Sequence, residues 1–561
     1  MDAISVIRGL PREARDGELV ALDVEMFKQD ENRLHRPHGT FACISAAFRG
    51  GEVYQLEEVS RLPDLFERIR KGRWVFHNAA YDIRQLRRFI TIEQRQVWDT
   101  MLVDLGLFGG WFENFKLGDL YRRWTGKILD KKLRSEFGTQ SHMTDAMSQY
   151  AALDALVTLD IADAQAAYAV EQKLSLQHYW LIDEPCIWAI IDMPPARINT
   201  DGWLELAKFH EQEGIRIQDG LGFNVYSHTQ TQAALKKLGL VVKNTNKKDT
   251  LMPLERTLIS TGKTKEAQFV RKILDARIYR KAASTYGKEW VDENVEPGGF
   301  VYGDYWTIGT RSSRMACSKP NLQNIPTREL PIFRKLFIPT FEGGAMSVAD
   351  CWQQEVCVLA WMSKDKNLLQ ALKDKRDLHQ ETADDFGINR REGKDINLGL
   401  GYGMSAKGLA LRLGISITEA EYGIRRRNQR YPEVRDWGEN QRESAFKKDY
   451  VETSLGRRLW INRYDRQWER HSINLPIQGT AAEHTKMWFI MCHQFCRDEG
   501  IPFRIPLVVH DELLADVEQS EIPAWGGLLG TSGVEAGNKV VQGFDMTIQV
   551  STGDSWGAKQ I

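Results

Sequence analysis

Two apolar runs, GGAMSVADCWQQE and IPLVVHDELLADV, each carry a carboxylate where a strand would end, and a long, mostly helical stretch from about residue 365 to 450 lies between them. If both runs belong to one sheet, few folds remain open: a sheet interrupted by a helical insertion. Asp350 closes the first run, and Glu355 follows where a helix would begin. In the second run His510, Asp511 and Glu512 fall at the tip of a hairpin. Taken singly, each feature is ordinary, because the dipole favours an aspartate at a helix start and a tip carboxylate is commonly just solvated. As a pair, Asp350 and Asp511 can converge on two divalent cations, and metal bridging offsets the charge cost of their proximity. Such a site would activate a 3′-hydroxyl and stabilise a pyrophosphate leaving group in an in-line displacement.

The helical insertion supplies groups that suit a triphosphate. In RREGKDINLGLGYGMSAKG, Arg390, Lys394, Leu398 and Tyr402 recur every four residues, which predicts one helix face with two cations, an apolar side chain and an aromatic ring. That order suits a nucleotide lying lengthwise, with the tyrosine near the templating base as a stacking group. Gly393, Gly399, Gly401 and Gly403 suggest bending or a close approach of DNA, since glycine costs up to about 1 kcal/mol per interior helical site relative to alanine.

A second acidic constellation lies near the N-terminus. ALDVEMF places Asp23 and Glu25 two apart on a strand, so both carboxylates share a face. Asp82 follows the apolar strand in VFHNAAYD, and Tyr150 and Asp154 stand at i and i+4 on a helix predicted from Thr144 through Ala167. Separately these read as structural, the Asp23 and Glu25 pair as an exposed strand edge with protective charges.

The chain has 561 residues and 42% hydrophobic content, enough for three or four folding units. Residues 1 to about 170 mix strands and helices, 170 to 300 read as an elongated helical arm, and the chain turns strand-rich after Pro297, Gly298 and Gly299. The 75 basic and 76 acidic side chains nearly cancel, so any nucleic-acid surface must come from local segregation of charge. Arg425, Arg426, Arg427 and Arg430 are one candidate surface, a solvated helix face the other reading. The seven cysteines form no disulfide framework, and Cys492, His493 and Cys496 read as a helix face rather than a zinc site. No apolar run approaches the roughly 20 residues that span a bilayer, and the N-terminus lacks a signal pattern, which predicts a cytoplasm-like compartment and no membrane partner.

SSRMACSKPNLQNIP, ADCWQQE, RREGKDINLGLGYGMS, ERHSINLPIQGTAAE, LVVHDE and STGDSW resemble, in order, the successive motifs of family A DNA polymerases, the DNA polymerase I family. The N-terminal constellation, continued through LGDLYRRWTGKILDKKLRSEFG, resembles the DEDDy 3′-to-5′ exonucleases that proofread for that family. The resemblance implies a multi-domain α/β protein. An RNase H-like exonuclease would occupy 1–170, a helical linker and thumb 171–300, the first part of the palm 301–375, the fingers 376–454 and the second part of the palm 455–561. It implies that Asp350 and Asp511 hold two Mg2+ ions, with Mn2+ a possible substitute, that Glu512 lies beside them, and that Glu355 is the steric gate against a ribose 2′-hydroxyl. His379, Arg390 and Lys394 match positions that grip the incoming dNTP, with Lys394 also a proton donor, and Tyr402 matches the guard of the template position. Arg314, Gln323, Arg470, Asn474, Gln478 and His510 match positions on primer-template DNA. Asp23, Glu25, Asp82 and Asp154 would bind two further ions while Tyr150 orients the attacking water.

Three positions depart from the pattern: Leu398 replaces an aromatic residue, Cys357 replaces an arginine, and Ser312, Ser313, Arg314 replaces the usual TGR. The first puts sugar selectivity in question. The resemblance leads us to expect a monomer without a 5′ nuclease, more akin to a bacteriophage replicase in a bacterial cytoplasm than to an organelle enzyme, with a helicase, primase or single-strand-binding protein as further partners. A single-subunit RNA polymerase is the competing enzyme reading, against which Glu355 and the proofreading constellation weigh; an inert DNA-binding scaffold is opposed by the intact carboxylates.

Overall fold

The computed structural model describes residues 4–28, 39–129, 136–326 and 331–557. Residues 130–135 of the segment LGDLYRRWTGKILDKKLRSEFG lie outside them. The N-terminal unit is a six-stranded sheet of β1 (Val6–Arg8), β2 (Leu19–Phe27), β3 (Thr40–Phe48), β4 (Val53–Leu56), β5 (Arg73–Phe76) and β6 (Val97–Asp99), in the order β1-β4-β3-β2-β5-β6. β2, β3 and β4 pair antiparallel, and β5 and β6 join alongside in parallel. Val20, Ala21 and Leu22 of β2 are all buried, as strands covered on both faces require.

Three helices pack against this sheet: α1 (Ala79–Leu86), α2 (Thr100–Phe108) and α3 (Asp145–Glu171). α3 is N-capped by Thr144, whose hydroxyl accepts from the Met147 N–H at 3.2 Å. Ala151, Ala152, Ala155 and Ala162 are fully buried on it, so the long helix lies close against β2 and β3 with little side-chain bulk between.

The predicted helical arm is present. α4 (Thr200–Leu221) and α6 (Thr264–Tyr286) pack along each other, with α5 (Met252–Ser260) beside them, and Val225, Leu235, Leu251, Val270 and Ile273 build a small core of their own. Arg256 of α5 reaches across to Glu392 of the helical insertion at 2.9 Å.

The interrupted sheet forms as expected. β7 (Ala345–Cys351) is followed at once by α7 (Gln354–Ser363), and then the insertion contributes α8 (Leu378–Phe386), α9 (Arg390–Gly401) and α10 (Ile417–Arg430) around Ile396, Leu400, Leu409 and Ala420. The chain returns through the 31-residue α11 (Trp468–Asp498) to β8 (Leu507–Val509), β9 (Glu512–Val517) and β10 (Ile548–Gly553). The sheet order is β8-β9-β7-β10, antiparallel throughout. Cys492, His493 and Cys496 are buried on α11, where His493 Nε2 meets Asp192 at 2.7 Å. Among the described residues no helix is long and apolar enough to cross a membrane.

One turn, Tyr179–Asp183, ties the two halves together. The Tyr179 hydroxyl accepts from the Asp99 N–H at 2.7 Å and donates to the Val97 carbonyl at 2.9 Å, which docks the turn on β6. Four residues on, Asp183 receives Arg457 at 2.6 Å and Lys486 of α11 at 2.9 Å. Arg457 also faces Glu483 at 3.4 Å. All four ionic side chains are buried, and the flanking cations hold the Asp183 carboxyl below its usual range despite burial.

Candidate active sites

Strand pairing brings the two aspartates together. Asp350 stands opposite Glu512 in the β7–β9 register, and the Cys351 N–H donates to the Asp511 carbonyl at 3.1 Å. His510 occupies the left-handed region (φ 58°) at the hairpin tip, which turns the chain so that Asp511 faces back over β7. Asp350 and Asp511 line the same cleft, together with Arg314, Gln323, Glu355, His379, Arg390, Lys394, Leu398 and His510. Ten residues singled out from separate motifs therefore share one cavity. An all-oxygen carboxylate pair of this kind suits hard divalent cations.

α9 carries the cations to the cleft. Arg390 is anchored by Asp377 at 2.5 Å, and Lys394 is exposed one turn further on. His379 of α8 is buried beside them, and burial with the adjacent Lys394 and Arg390 charges pushes its imidazole down to about 4. The Asn397 amide lies 3.2 Å from His379 Nδ1; an amide N–H donates, so Nδ1 accepts and Nε2 carries the proton.

Tyr402 departs from the shared-face expectation. A spacing of four against a period of 3.6 turns the helix by about 40° per step, so Tyr402 has rotated roughly 120° from Arg390. It caps the C-terminus of α9, lines a second cavity behind that helix, and its hydroxyl donates to Glu355. Glu355 also receives Arg314, so both predicted partners of the DNA and nucleotide converge on this carboxylate. Burial raises the Glu355 pKa and Arg314 opposes that rise. The glycine reading also needs correction: a Cβ on Gly393 would sit 2.2 Å from the His379 carbonyl and 2.8 Å from Ala383, so this glycine exists for α8–α9 packing, not for DNA.

Arg470, Asn474 and Gln478 follow one another at four-residue steps along α11 and lie outside the cleft, with Arg470 exposed and the Asn474 Oδ1 buried without a hydrogen-bond partner. Gln323 Nε2 donates to the Val508 carbonyl at 3.1 Å. Three of the four arginines of the run pair within the insertion, Arg426 and Arg430 with Asp385 at 3.4 and 3.0 Å and Arg425 with Glu421 at 3.8 Å, and Arg427 is half-buried near the Tyr431 ring.

Two residues escaped the sequence reading. Arg334 Nη1 donates to Glu512 Oε1 at 3.1 Å, and the Trp556 indole N–H donates to the same oxygen at 2.6 Å. The Arg334 guanidinium lies 3.9 Å over the Trp556 ring. Glu512 is thus buried and fixed from behind the sheet edge, beside the aspartates rather than open to the cleft. The only local signal was the basic pair Arg334 and Lys335 set between apolar residues in PIFRKLF.

In the N-terminal unit, β2 presents Asp23 and Glu25 on one face and α3 brings Asp154 over them; one oxygen from each lies within 4.8 Å of the others. Three carboxylates this close repel, and a hard divalent cation relieves that repulsion, so the donor set fits such an ion. Asp82 on α1 stands outside this trio. Its Oδ1 accepts from the Val24 N–H at 3.0 Å, and burial and neighbouring Asp23 push its carboxyl well above the usual range. Tyr150 is buried next to the trio, and burial with Asp154, Glu25 and Asp23 raises its phenol, so the hydroxyl stays protonated at neutral pH.

The fold thus joins two units, each with its own acidic cluster. The fold is shared, with a TM-score of 0.81 at 24% identity over 98% of this chain and 99% of the other, with a solved structure described as the POL domain of Pol1 from M. smegmatis in complex with DNA primer-template and dNTP. The chain belongs to DNA polymerase family A, whose family profile matches residues 205–558, and a 3′-5′ exonuclease profile matches residues 9–165. It is 30% identical to DNA polymerase I of Caldicellulosiruptor bescii over 67% of this chain and 47% of that protein. It is 33% identical to the thermostable DNA polymerase I of Thermus aquaticus over 63% of this chain and 44% of that one. With DNA polymerase I of Rhizobium leguminosarum it shares 31% identity over 80% of this chain and 47% of the relative. The matched chain spans less than half the length of these relatives.

Proposed function

We propose that the chain is a DNA-templated DNA polymerase that extends a primer with dNTPs and proofreads it by 3′-to-5′ exonucleolysis. The observation that carries the reading is the convergence of Asp350 and Asp511 in one cleft with Arg390, Lys394 and His379. When bound, divalent cations, which we take to be Mg2+ with Mn2+ as substitute, neutralise phosphate charge and acidify the attacking hydroxyl or water. Asp350 and Asp511 hold them in the synthetic site, with Glu512 locked alongside by Arg334 and Trp556. Arg390 and Lys394 take the triphosphate, Lys394 protonates the leaving group, and neutral His379 donates a hydrogen bond through Nε2. Glu355, pinned by Arg314 and Tyr402, blocks a 2′-hydroxyl, and Tyr402 guards the template position. Gln323, Arg470, Asn474, Gln478 and His510 track the primer-template, whose minor-groove acceptors are nearly independent of sequence. In the exonuclease, Asp23, Glu25 and Asp154 hold the ions with Asp82 adjacent, and Tyr150 orients the water.

The corresponding division is exonuclease 1–170, linker and thumb 171–300, palm 301–375 and 455–561, and fingers 376–454. We assign the enzyme to a cytoplasmic compartment, acting as a monomer on primer-template DNA beside a helicase, primase or single-strand-binding protein. Timed extension of a labelled primer on a long template tests the core of this reading: lengthening with dNTPs, shortening without them, and loss of both when Mg2+ is chelated. A chain that binds the DNA and never lengthens it refutes the synthetic role.

Leu398 lines the cleft where the sugar would lie and offers less contact than an aromatic ring. Leu398→Phe is expected to lower the dNTP KM by about two- to tenfold, the range an aromatic contact supplies, and to shift the ratio of normal to 3′-deoxy nucleotide incorporation. An unchanged KM and ratio would show that this side chain does not touch the sugar.

A further inference from the structure

Leaving a tryptophan in water forgoes a large burial energy, yet Trp111 keeps 52% of its surface exposed. It follows the Gly110 turn after α2 (φ 89°), and its ring meets Trp460 edge-on with centroids 5.0 Å apart. Trp460 is held from behind: its indole N–H donates to the Leu107 carbonyl at 2.7 Å, and Arg311 donates to its own carbonyl at 3.0 Å. Tyr450 packs 5.4 Å from Trp460, and the Arg458 guanidinium lies 4.6 Å from the tyrosine ring centre. The N-terminal unit and the hairpin before α11 thus share a fixed aromatic row interleaved with guanidinium groups. Rings supply stacking faces for unpaired bases and guanidiniums meet their phosphates, the combination that single-stranded nucleic acid binds.

Two helices serve as rulers for its location. Ala482 of α11 lines the cleft with Asp350 and Asp511, and His471, which faces Arg311 at 3.1 Å, lies roughly 17 Å back along the same helix. Between them Ile473 approaches Gly403, next to Tyr402, so the row continues past the Tyr402 end of α9 and adjoins the Arg470 face of α11. On the other side, Phe108 packs against Tyr168 with centroids 5.7 Å apart, and Tyr168 lies roughly 21 Å along α3 from Asp154. The row is therefore remote from the exonuclease carboxylates and lies towards the end of α9 that carries Tyr402, the residue assigned above to the template position.

We propose that Trp111 and Trp460 form a stacking site for the unpaired template strand before it is copied. The inference rests on the polymerase reading above. The test compares binding of the full chain to primer-templates of identical duplex, one blunt and one with a long template 5′ overhang. Trp111→Ala is expected to weaken the overhang substrate on the order of tenfold and leave the blunt one unchanged. Trp111→Phe should keep most of the overhang affinity, and single-strand degradation by both variants should match wild type. Wild-type affinity of Trp111→Ala for the overhang, or an equal loss on both substrates, overturns the site. A wild-type chain that binds the overhang substrate without extending it defeats the polymerase reading instead.

Discussion

Replacing Asp511 or Asp350 with alanine is expected to reduce primer extension on the order of 10⁴-fold or more while single-strand degradation continues at the wild-type rate. Both side chains open into the cleft that holds Arg390 and Lys394, and with one carboxylate gone the remaining one cannot gather a pair of cations. Backbone pairing around them survives, because Asp350 enters the sheet through the β7–β9 register and Asp511 through its carbonyl, neither of which needs the side chain. Extension and degradation measured on the same preparations, with unfolding followed alongside, check the result. Loss of both activities in a variant that still unfolds cooperatively would mean the sites are not separate.

The complementary experiment removes the other cluster. Asp23→Ala combined with Glu25→Ala should lower exonuclease turnover by about 10³-fold or more and leave nucleotide addition intact, so misincorporated ends persist in the extended product. Because these carboxylates repel one another at a separation within 4.8 Å, the double variant should also be no less stable than wild type in chelator. A marked fall in its melting temperature under those conditions would mean that the acids support the fold rather than the chemistry.

What could be read in advance was set by short-range periodicity. Asp23 and Glu25 share a face because side chains on a strand alternate with period two, and Tyr150 and Asp154 project together because they stand one helical turn apart. Asp350 and Asp511 were recognisable as strand ends, since apolar runs with turn residues between them specify a sheet whichever strands they pair with. The same reasoning failed once small angular errors accumulated, as at Tyr402, or when a distant partner decided the role of a residue. Gly393 looked like a concession to DNA and proves to admit the neighbouring helix. Glu512 was expected beside the aspartates, but nothing local announced Arg334 and Trp556, from segments far away in the chain, which both hydrogen-bond to it. The arginine run was equally open between surface and solvent; three of its four members face Asp385 or Glu421, and Arg427 is half-buried. None of these pairings leaves a local trace, because each depends on which segments the fold juxtaposes.

The Asp183 cluster bears on how freely the two halves can be exchanged. A buried ion pair that loses one member strands the other in a low-dielectric interior, at about 3–5 kcal/mol. Asp183 belongs to the turn docked on β6 by Tyr179, whereas Arg457 and Lys486 come from the C-terminal unit. A chimera that grafts a foreign N-terminal unit onto the C-terminal unit of this chain must therefore carry the turn across with its cations' counter-charge in place. A transplant joined upstream of Asp183 keeps that charge but must rebuild the tyrosine's socket, so the natural suture for domain shuffling lies beyond the turn, not at the end of the long helix before it.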